Sequence, residues 1–204
     1  WQLDIPHILK EVGQEEGLII ICRPNNPTGN VFPREDVLRL LEETQLTVVV
    51  DEAYFGFTEE TMIEDVAKYQ RLIVLRTFSK TFGLAGIRLG YMVANPKLVE
   101  VVHQVRPAFN LNALTLTMGC VALKQERQLL AHVPAIVEER ERLATLLGRL
   151  PGVKVYPSET NFLLVKLPCL AEGLWQELRQ AGIHVRLVGN EMPQFLRISV
   201  GLRT

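Results

Sequence analysis

A run of apolar, mostly β-branched residues from Leu46 to Val50 constrains the fold of this chain more than any other feature. Apolar side chains on both faces of a strand are typical of a parallel sheet that is buried on both sides. Three further strand-like segments, 18–22, 72–76 and 90–94, alternate with helical or turn-forming segments along the chain. This alternation predicts a doubly wound α/β fold, in which a mostly parallel sheet carries helices on both faces.

Charge and composition exclude several classes of protein. The 204 residues carry 22 basic and 23 acidic side chains, so the formal net charge of -1 favours neither nucleic acid nor an anionic membrane surface as a partner. No apolar run is long enough to span a membrane, and the four histidines show no metal-ligand spacing, so we expect no metal site. The three cysteines are far apart in apolar surroundings, and we expect them to be reduced core residues of a cytoplasmic protein.

A lysine in a turn that follows an expected strand is the first candidate for chemistry. Lys80 follows the hydroxyls of Thr77 and Ser79 and precedes Arg88 in the chain. An ammonium that is partly desolvated near another cation loses its proton more readily and can then form a Schiff base with an aldehyde. Pyridoxal phosphate supplies both an aldehyde and a phosphate, and the two hydroxyls and Arg88 could hold that phosphate. The alternative is a solvated surface lysine beside an arginine of a structural ion pair.

Polar groups also follow two other expected strands. Asp51 ends the β-branched strand, where a buried carboxylate needs a cationic partner such as a protonated pyridine nitrogen. Tyr54 could reach the phenolic oxygen of the same ring, although Asp51 could instead cap the next segment and Tyr54 pack in the core. The turn 23–30 contains the adjacent amides Asn25 and Asn26 at the edge where open α/β sheets bind ligands. Its prolines and glycine also fit a plain tight turn.

A change of pattern at Pro151-Gly152 predicts a second domain, because the strands that follow are short and only one helix lies among them. We expect a partial large cofactor-binding domain over residues 1–133 and a small C-terminal α+β domain over residues 134–204. The expected strands of the small domain are 153–156, 161–167, 183–187 and 195–200.

Two arginines of the expected small domain alternate with apolar residues. Arg186 lies at the end of Ile183-His184-Val185-Arg186, and Arg197 lies in the segment 195–199. Each could point away from a packed face toward a ligand. An exposed arginine on a strand is the more ordinary explanation for either residue alone.

Taken in order, these motifs resemble the class I and II aminotransferases, which are pyridoxal-phosphate enzymes of fold type I, over essentially the whole chain. Within that family the chain is most similar to the histidinol-phosphate aminotransferase group. The motifs that carry the family resemblance are Asn25-Asn26-Pro27-Thr28-Gly29, Asp51-Glu52-Ala53-Tyr54, Ser79-Lys80 with Arg88-Leu89-Gly90, and Leu196-Arg197-Ile198. The similarity to the histidinol-phosphate group rests on the segments 76–80, 105–107 with 109–110, 137–142 and 160–162.

The resemblance implies a role for each residue near the cofactor. Lys80 would form the Schiff base and, once the substrate has displaced it, would move a proton between the substrate carbon and the cofactor. Asp51 would bind the pyridine nitrogen, and Tyr54 and Asn26 would bind the phenolic oxygen. The residues implied to bind the cofactor phosphate are Thr77, Ser79 and Arg88.

The resemblance also implies where the substrate binds. Arg197 matches the arginine that binds substrate anions in the family, and Arg186 matches a second arginine near the substrate phosphate in the histidinol-phosphate group. Two cations suit such a dianion, and Asn161 would line the active-site side of the small domain. The implied reaction is a ping-pong amino transfer between glutamate with imidazole-acetol phosphate and 2-oxoglutarate with histidinol phosphate.

Other functions fit the same residues. Threonine-phosphate decarboxylase shares the scaffold and acts on another amino phosphate, and an aromatic-amino-acid aminotransferase is a third alternative. The sensing module of a transcription regulator is an alternative from a different class. In the family a long stretch precedes the Asn-Pro-Thr-Gly turn and is not part of this chain. We therefore expect a fragment of a homodimeric enzyme that is weakly active or inactive by itself.

Overall fold

The computed structural model describes residues 1–13 and 15–203, which group into two compact units. The first unit comprises residues 1–24 and 31–131. The second comprises the turn 25–30 together with the chain from His132 onward. The turn that follows the first strand thus groups with the C-terminal part of the chain. The domain boundary expected between residues 133 and 134 stays a prediction.

A sheet of four strands forms the centre of the first unit, in the order β1-β2-β3-β4. Strands β1, β2 and β3 are parallel, and β4 runs antiparallel to β3. Since Cys22 pairs with Asp51 and Asp51 pairs with Leu75, the carboxyl ends of the parallel strands lie side by side. The strands are β1 (Leu18–Cys22), β2 (Thr47–Asp51), β3 (Leu72–Thr77) and β4 (Gly90–Ala94).

The helices of the first unit begin where local sequence favours them. Helix α2 begins after Pro33 and buries an apolar stripe that includes Val37 and Leu40. The side chains of Asn95 and Asn112 accept backbone N–H groups at the starts of α3 and α4. The helices are α1 (Ile5–Val12), α2 (Arg34–Glu43), α3 (Pro96–Val105), α4 (Ala113–Lys124) and α5 (Glu126–Leu129), with single 3-10 turns at Ile63–Asp65 and Ala85–Ile87.

One face of the sheet forms the main core of the first unit. Alternate residues of the strands, such as Ile21, Val48 and Val74, pack with Ile5 of α1 and Leu40 of α2. On the other face of β1, Leu18 and Ile20 remain 60% and 61% exposed. The buried face therefore holds the strands, and hence their polar ends, in a fixed register.

The second unit contains an antiparallel sheet of four strands in the order β5-β6-β8-β7. Phe162 and Leu164 of β6 and Leu196 of β8 are buried in it. The turn 25–30 attaches to this unit because the Glu159 N–H donates to the Gly29 carbonyl over 2.7 Å. The elements are α6 (Val133–Leu147), β5 (Lys154–Val155), β6 (Phe162–Lys166), α7 (Ala171–Gln180), β7 (Arg186–Leu187) and β8 (Phe195–Ser199).

Two expectations from the sequence are wrong. The strand expected at 183–187 is reduced to β7, because the Ile183 N–H donates to the Leu178 carbonyl and so closes the end of α7. Cys120 and Cys169 are exposed, and only Cys22 is partly buried, so the expected core position fails for two of the three cysteines. No helix in the described part of the chain is long and apolar enough to cross a membrane.

Candidate functional site

The carboxyl ends of β2 and β3 carry the candidate cofactor residues of the first unit. Asp51 is the last residue of β2, and Tyr54 lies in the turn after it. Thr77 is the last residue of β3, and Lys80 lies in the turn that follows. The Lys80 Nζ is 5.3 Å from the centre of the Tyr54 ring. The fold thus brings the expected lysine and tyrosine, which are far apart in the sequence, to one place.

Two hydroxyls beside Lys80 form a small hydrogen-bonded cluster. Thr77 Oγ1 lies 2.9 Å from Ser79 Oγ and accepts the Ser79 N–H over 3.1 Å. The same hydroxyl lies 3.3 Å from the carbonyl oxygen of Leu89. These contacts hold the turn in a conformation that keeps both hydroxyls next to Lys80.

The two cations of this region have no anionic partner in residues 1–13 and 15–203. Lys80 and Arg88 are exposed, and neither forms an ion pair there. Arg88 donates to the Ala85 carbonyl over 3.0 Å and has a φ of 54, a left-handed conformation that is uncommon outside glycine. The partial desolvation expected for Lys80 is not provided by the described residues, because its side chain is exposed.

Asp51 both caps a turn and carries a charge without a cation beside it. Its Oδ1 accepts the Ala53 N–H over 3.0 Å, as expected for a capping carboxylate. No cationic side chain of the described residues pairs with it. Burial raises the pKa of the Cys22 thiol, and the Asp51 carboxylate opposite raises that pKa further. An electron-poor cationic ring would therefore find an available carboxylate at the end of β2.

A buried ion pair beneath this region escaped the sequence analysis. Glu52 is 1% exposed, and its carboxylate accepts Arg76 Nε over 3.0 Å and the Met62 N–H over 2.6 Å. The Thr61 hydroxyl lies 2.9 Å from the same carboxylate and accepts Arg76 Nη2 over 2.9 Å. The Arg76 guanidinium carbon is 3.3 Å from the centre of the Phe55 ring. Opposite charges at the ends of two neighbouring expected strands were the signal that could have revealed the pair.

The second unit brings three of its candidate residues together around a cavity of about 240 Å³, which Asn26, Pro27, Arg186, Val188 and Arg197 line. Arg186 of β7 lies directly opposite Arg197 of β8 in the sheet register. Arg197 Nη1 donates to Asn26 Oδ1 over 2.8 Å. Two arginines and an amide therefore share one small concave space.

The charges around this cavity favour an anion. Like charges directly opposite each other on antiparallel strands repel, and neither Arg186 nor Arg197 pairs with a carboxylate in the described chain. The Nε of Arg197 is buried without a hydrogen-bond partner, which costs free energy until a ligand or water accepts it. The Arg197 guanidinium also lies 5.1 Å from the centre of the Phe162 ring, which limits its orientation.

Asn161 is not among the residues that line this cavity. The contact that the structure gives it is through the backbone, since the Val200 N–H donates to the Asn161 carbonyl over 2.7 Å. Its expected role near the substrate stays a prediction. The described residues contain no group of three or more histidine, cysteine, aspartate or glutamate side chains arranged for a metal ion.

Comparison with known proteins identifies the class. Residues 1–204 match the family model described as Aminotransferase class I and II, so the chain belongs to that family. A histidinol-phosphate aminotransferase from Thermoanaerobacter sp. (strain X514) is 42% identical over 187 residues, which are 91% of this chain and 53% of that protein.

Two solved structures extend the comparison. The crystal structure of histidinol-phosphate aminotransferase from Sinorhizobium meliloti in complex with pyridoxal-5'-phosphate has a TM-score of 0.85 at 27% identity, with 97% of this chain and 56% of that chain covered. L-threonine-O-3-phosphate decarboxylase from Porphyromonas gingivalis has a TM-score of 0.80 at 29% identity, with 90% and 59% covered.

These similarities confirm the family and the α/β fold expected from the sequence, and they support pyridoxal phosphate as the cofactor. The chain spans about half the length of the curated relatives that it matches.

Proposed function

We propose that the full-length protein containing this chain is a pyridoxal-phosphate-dependent aminotransferase that acts on histidinol phosphate and 2-oxoglutarate. The observation that carries the substrate class is the cavity in which Arg186 and Arg197 face each other without a carboxylate partner among the described residues. A substrate with a phosphate or carboxylate group supplies the missing negative charge.

The first unit offers groups complementary to pyridoxal phosphate. Lys80 and Arg88 are cations, and Asp51 is a carboxylate. None of the three forms an ion pair with another described residue. A Cβ atom placed at Gly83 or Gly86 would meet no other atom within 4 Å, so the space beside the turn is open. The residues of the first unit proposed to hold the cofactor are Asp51, Tyr54, Thr77, Ser79, Lys80 and Arg88. Asn26, of the turn 25–30, is proposed as a further cofactor-binding residue.

Each group has a distinct task in the proposal. Arg88 and the hydroxyls of Thr77 and Ser79 bind the phosphate, since charged and neutral donors next to each other suit its oxygens. Asp51 keeps a proton on the pyridine nitrogen by stabilising the positive charge there. The Asn26 Oδ1 is engaged by Arg197, so its NH2 group remains a donor toward an anionic phenolic oxygen.

Lys80 performs the proton transfer. When bound, pyridoxal phosphate supplies an electron-withdrawing ring that stabilises negative charge on the substrate carbon. The neutral Lys80 amine accepts the proton from that carbon and returns it to a different atom, which requires the amine to be free of a fixed ion pair. Tyr54, next to Lys80 Nζ, restricts where the amine can move.

The second unit binds the substrate anion. Arg197 binds the carboxylate of glutamate or 2-oxoglutarate through its planar fork of donors, with Asn26 and Phe162 fixing its orientation. Arg186 adds the second positive charge that a phosphate dianion requires. Asn161 lines the active-site side of this unit in the proposal, as the family resemblance implies.

An assay of the full-length protein tests the substrate. Histidinol phosphate, threonine phosphate and phenylalanine are each supplied with 2-oxoglutarate, and glutamate formation is measured. We expect kcat/KM for histidinol phosphate to exceed the others by at least about tenfold. Absence of glutamate formation with histidinol phosphate would overturn the proposed substrate.

Threonine-phosphate decarboxylation is the second candidate, supported by the structural similarity to the decarboxylase from Porphyromonas gingivalis. That reaction releases carbon dioxide, whereas histidinol phosphate has no carboxyl group to lose. Carbon dioxide release from threonine phosphate, without glutamate formation, would therefore favour the second candidate.

We include a homodimer in the proposal, as the family resemblance implies. Helix α4 exposes several apolar side chains that a covering protein surface would remove from water. They are Leu114, Leu116, Val121 and Leu123. Sedimentation of the full-length protein at several concentrations measures the association state, and a monomer at all of them would contradict the dimer.

A further inference from the structure

We propose that the buried Glu52–Arg76 pair positions the cofactor-binding ends of β2 and β3. Glu52 directly follows Asp51, and Arg76 directly precedes Thr77. This inference rests on the proposed function, because it concerns how Asp51 and Thr77 are held for pyridoxal phosphate. Neither Glu52 nor Arg76 contacts the cofactor in the proposal, so both are positioning residues.

Alternation along the strands separates the pair from the residues that it positions. Successive side chains of a strand point to opposite faces of the sheet. The Glu52 N–H donates to the Leu75 carbonyl over 2.9 Å, so the ladder between β2 and β3 continues past Asp51. Asp51 and Thr77 therefore face one side, whereas Glu52 and Arg76 meet on the other.

The contacts of the Glu52–Arg76 pair fix the position of the end of β2 relative to the end of β3. The carboxylate of Glu52 takes donors from β3, through Arg76, and from the segment beyond the turn, through Thr61 and Met62. Arg76 is held by two hydrogen bonds and by the ring of Phe55 on its guanidinium. A slip of either strand end would break several of these contacts at once.

The same pair anchors the turn that carries Tyr54. The Phe55 N–H donates to the Glu52 carbonyl over 2.9 Å, and the Phe57 N–H donates to the Tyr54 carbonyl over 3.2 Å. Since Phe55 also stacks on Arg76, the turn after β2 is tied to β3. The position of Tyr54 beside Lys80 thus depends on the pair as well.

A buried ion pair is an expensive way to stabilise a core, because apolar residues of similar volume often do so equally well. Its directional contacts, by contrast, define one arrangement of the groups around it. A positioning role therefore explains a charged pair here better than a contribution to stability does.

Variants of the full-length protein test the inference. Arg76→Ala removes the pair, Arg76→Lys keeps the charge without the fork of donors, and Glu52→Gln keeps the acceptor for Met62 without the charge. The matched control is Asp65→Asn, which removes another buried carboxylate of the first unit, one that is bound by Arg34 and makes no contact with Glu52 or Arg76 in the described residues. Equilibrium binding of pyridoxal phosphate, its visible absorbance against pH and thermal unfolding are measured for each variant.

We expect Arg76→Ala to raise the Kd for pyridoxal phosphate about tenfold or more, an effect comparable with the loss of groups that orient metal ligands. Arg76→Ala should also move the pH midpoint of the absorbance. The Kd and the pH midpoint of Arg76→Lys and Glu52→Gln should lie between those of Arg76→Ala and those of the protein without substitutions. Asp65→Asn should lower the unfolding temperature and leave the Kd and the pH midpoint unchanged.

Three results overturn the inference. The first is an unchanged Kd and pH midpoint in the folded Arg76 and Glu52 variants. The second is an equal shift in Asp65→Asn, which would show a general effect of destabilisation. The third is that the protein without substitutions binds no pyridoxal phosphate at all. This result alone also overturns the proposed function.

Discussion

The two units place charge in opposite ways. The first unit has a carboxylate, Asp51, at the end of β2 and two cations, Lys80 and Arg88, between β3 and β4, and it also contains the balanced Glu52–Arg76 pair. The second unit sets two cations, Arg186 and Arg197, directly opposite each other on antiparallel strands. A mixed set of charges suits a ligand with several kinds of group, whereas a pair of like charges suits an anion.

The difference also lies in how the groups are held. Local hydrogen bonds, such as those of Thr77 with Ser79 and Asp51 with Ala53, fix the turns of the first unit. In the second unit, strand register places Arg186 opposite Arg197, and the contacts that hold Arg197 reach distant residues, Asn26 and Phe162. Substitutions in the first unit should therefore change cofactor chemistry, and substitutions in the second should change substrate binding.

The largest expected effect comes from Lys80→Ala. Loss of the amine removes both the covalent attachment and the proton transfer, so kcat should fall by at least about 10³-fold. Turnover and borohydride trapping followed by mass spectrometry of the full-length protein measure it. Lys97→Ala, at an exposed lysine of α3, is the control and should retain activity. A trapped adduct that persists in Lys80→Ala would refute the assignment.

Substitution of the arginines should separate their two roles. Arg197→Ala removes a charge-assisted contact and leaves Asn26 without its partner, so KM for glutamate and for histidinol phosphate should rise roughly 10- to 100-fold. Arg186→Ala should raise KM by up to about fivefold for the phosphate substrate only. Steady-state kinetics with both substrates measure the difference, with the exposed Arg179→Ala of α7 as control. Equal effects of Arg186→Ala on both substrates would contradict this division.

Gly29→Ala tests the attachment of the Asn26 turn to the second unit. Gly29 and Gly182 share a φ of 79, but only at Gly29 would a Cβ collide, 2.6 Å from Ser158 Oγ. The left-handed φ should lower the free energy of unfolding by about 1–2 kcal/mol in Gly29→Ala and in the control Gly182→Ala. Crowding against Ser158 should lower that of Gly29→Ala by roughly 1–3 kcal/mol more. Denaturant unfolding measures the stability of both variants. Equal losses would show that Ser158 moves aside without cost.

The smallest expected effect concerns the charge of Asp51. Because burial and the Asp51 carboxylate raise the pKa of Cys22, its alkylation should require a higher pH than that of an ordinary thiol. Asp51→Asn removes the negative charge and should lower that pKa, so alkylation should begin at a lower pH. The rate is measured against pH with the exposed cysteines Cys120 and Cys169 replaced by serine. An unchanged midpoint would mean that burial alone acts on the thiol.

Much of the secondary structure could be predicted because it depends on local patterns. Helix α2 follows Pro33 and carries an apolar stripe, both of which are features of the local sequence. Strand β4 has its expected bounds. The buried face of helix α4 could not be predicted, because apolar residues such as Leu114 and Val121 lie on several sides of the helix. The position of Cys120 was mistaken for this reason.

The sequence by itself determined which residues we propose for the chemistry, because Asp51, Lys80 and Arg88 stand in motifs of neighbouring residues that can be recognised without the fold. Only the tertiary structure decided which side chains meet. The Glu52–Arg76 pair, the opposition of Arg186 to Arg197 and the attachment of the Asn26 turn to the second unit all join residues distant in sequence. Such contacts follow from strand register and burial, which depend on the packing of the whole unit rather than on local pattern.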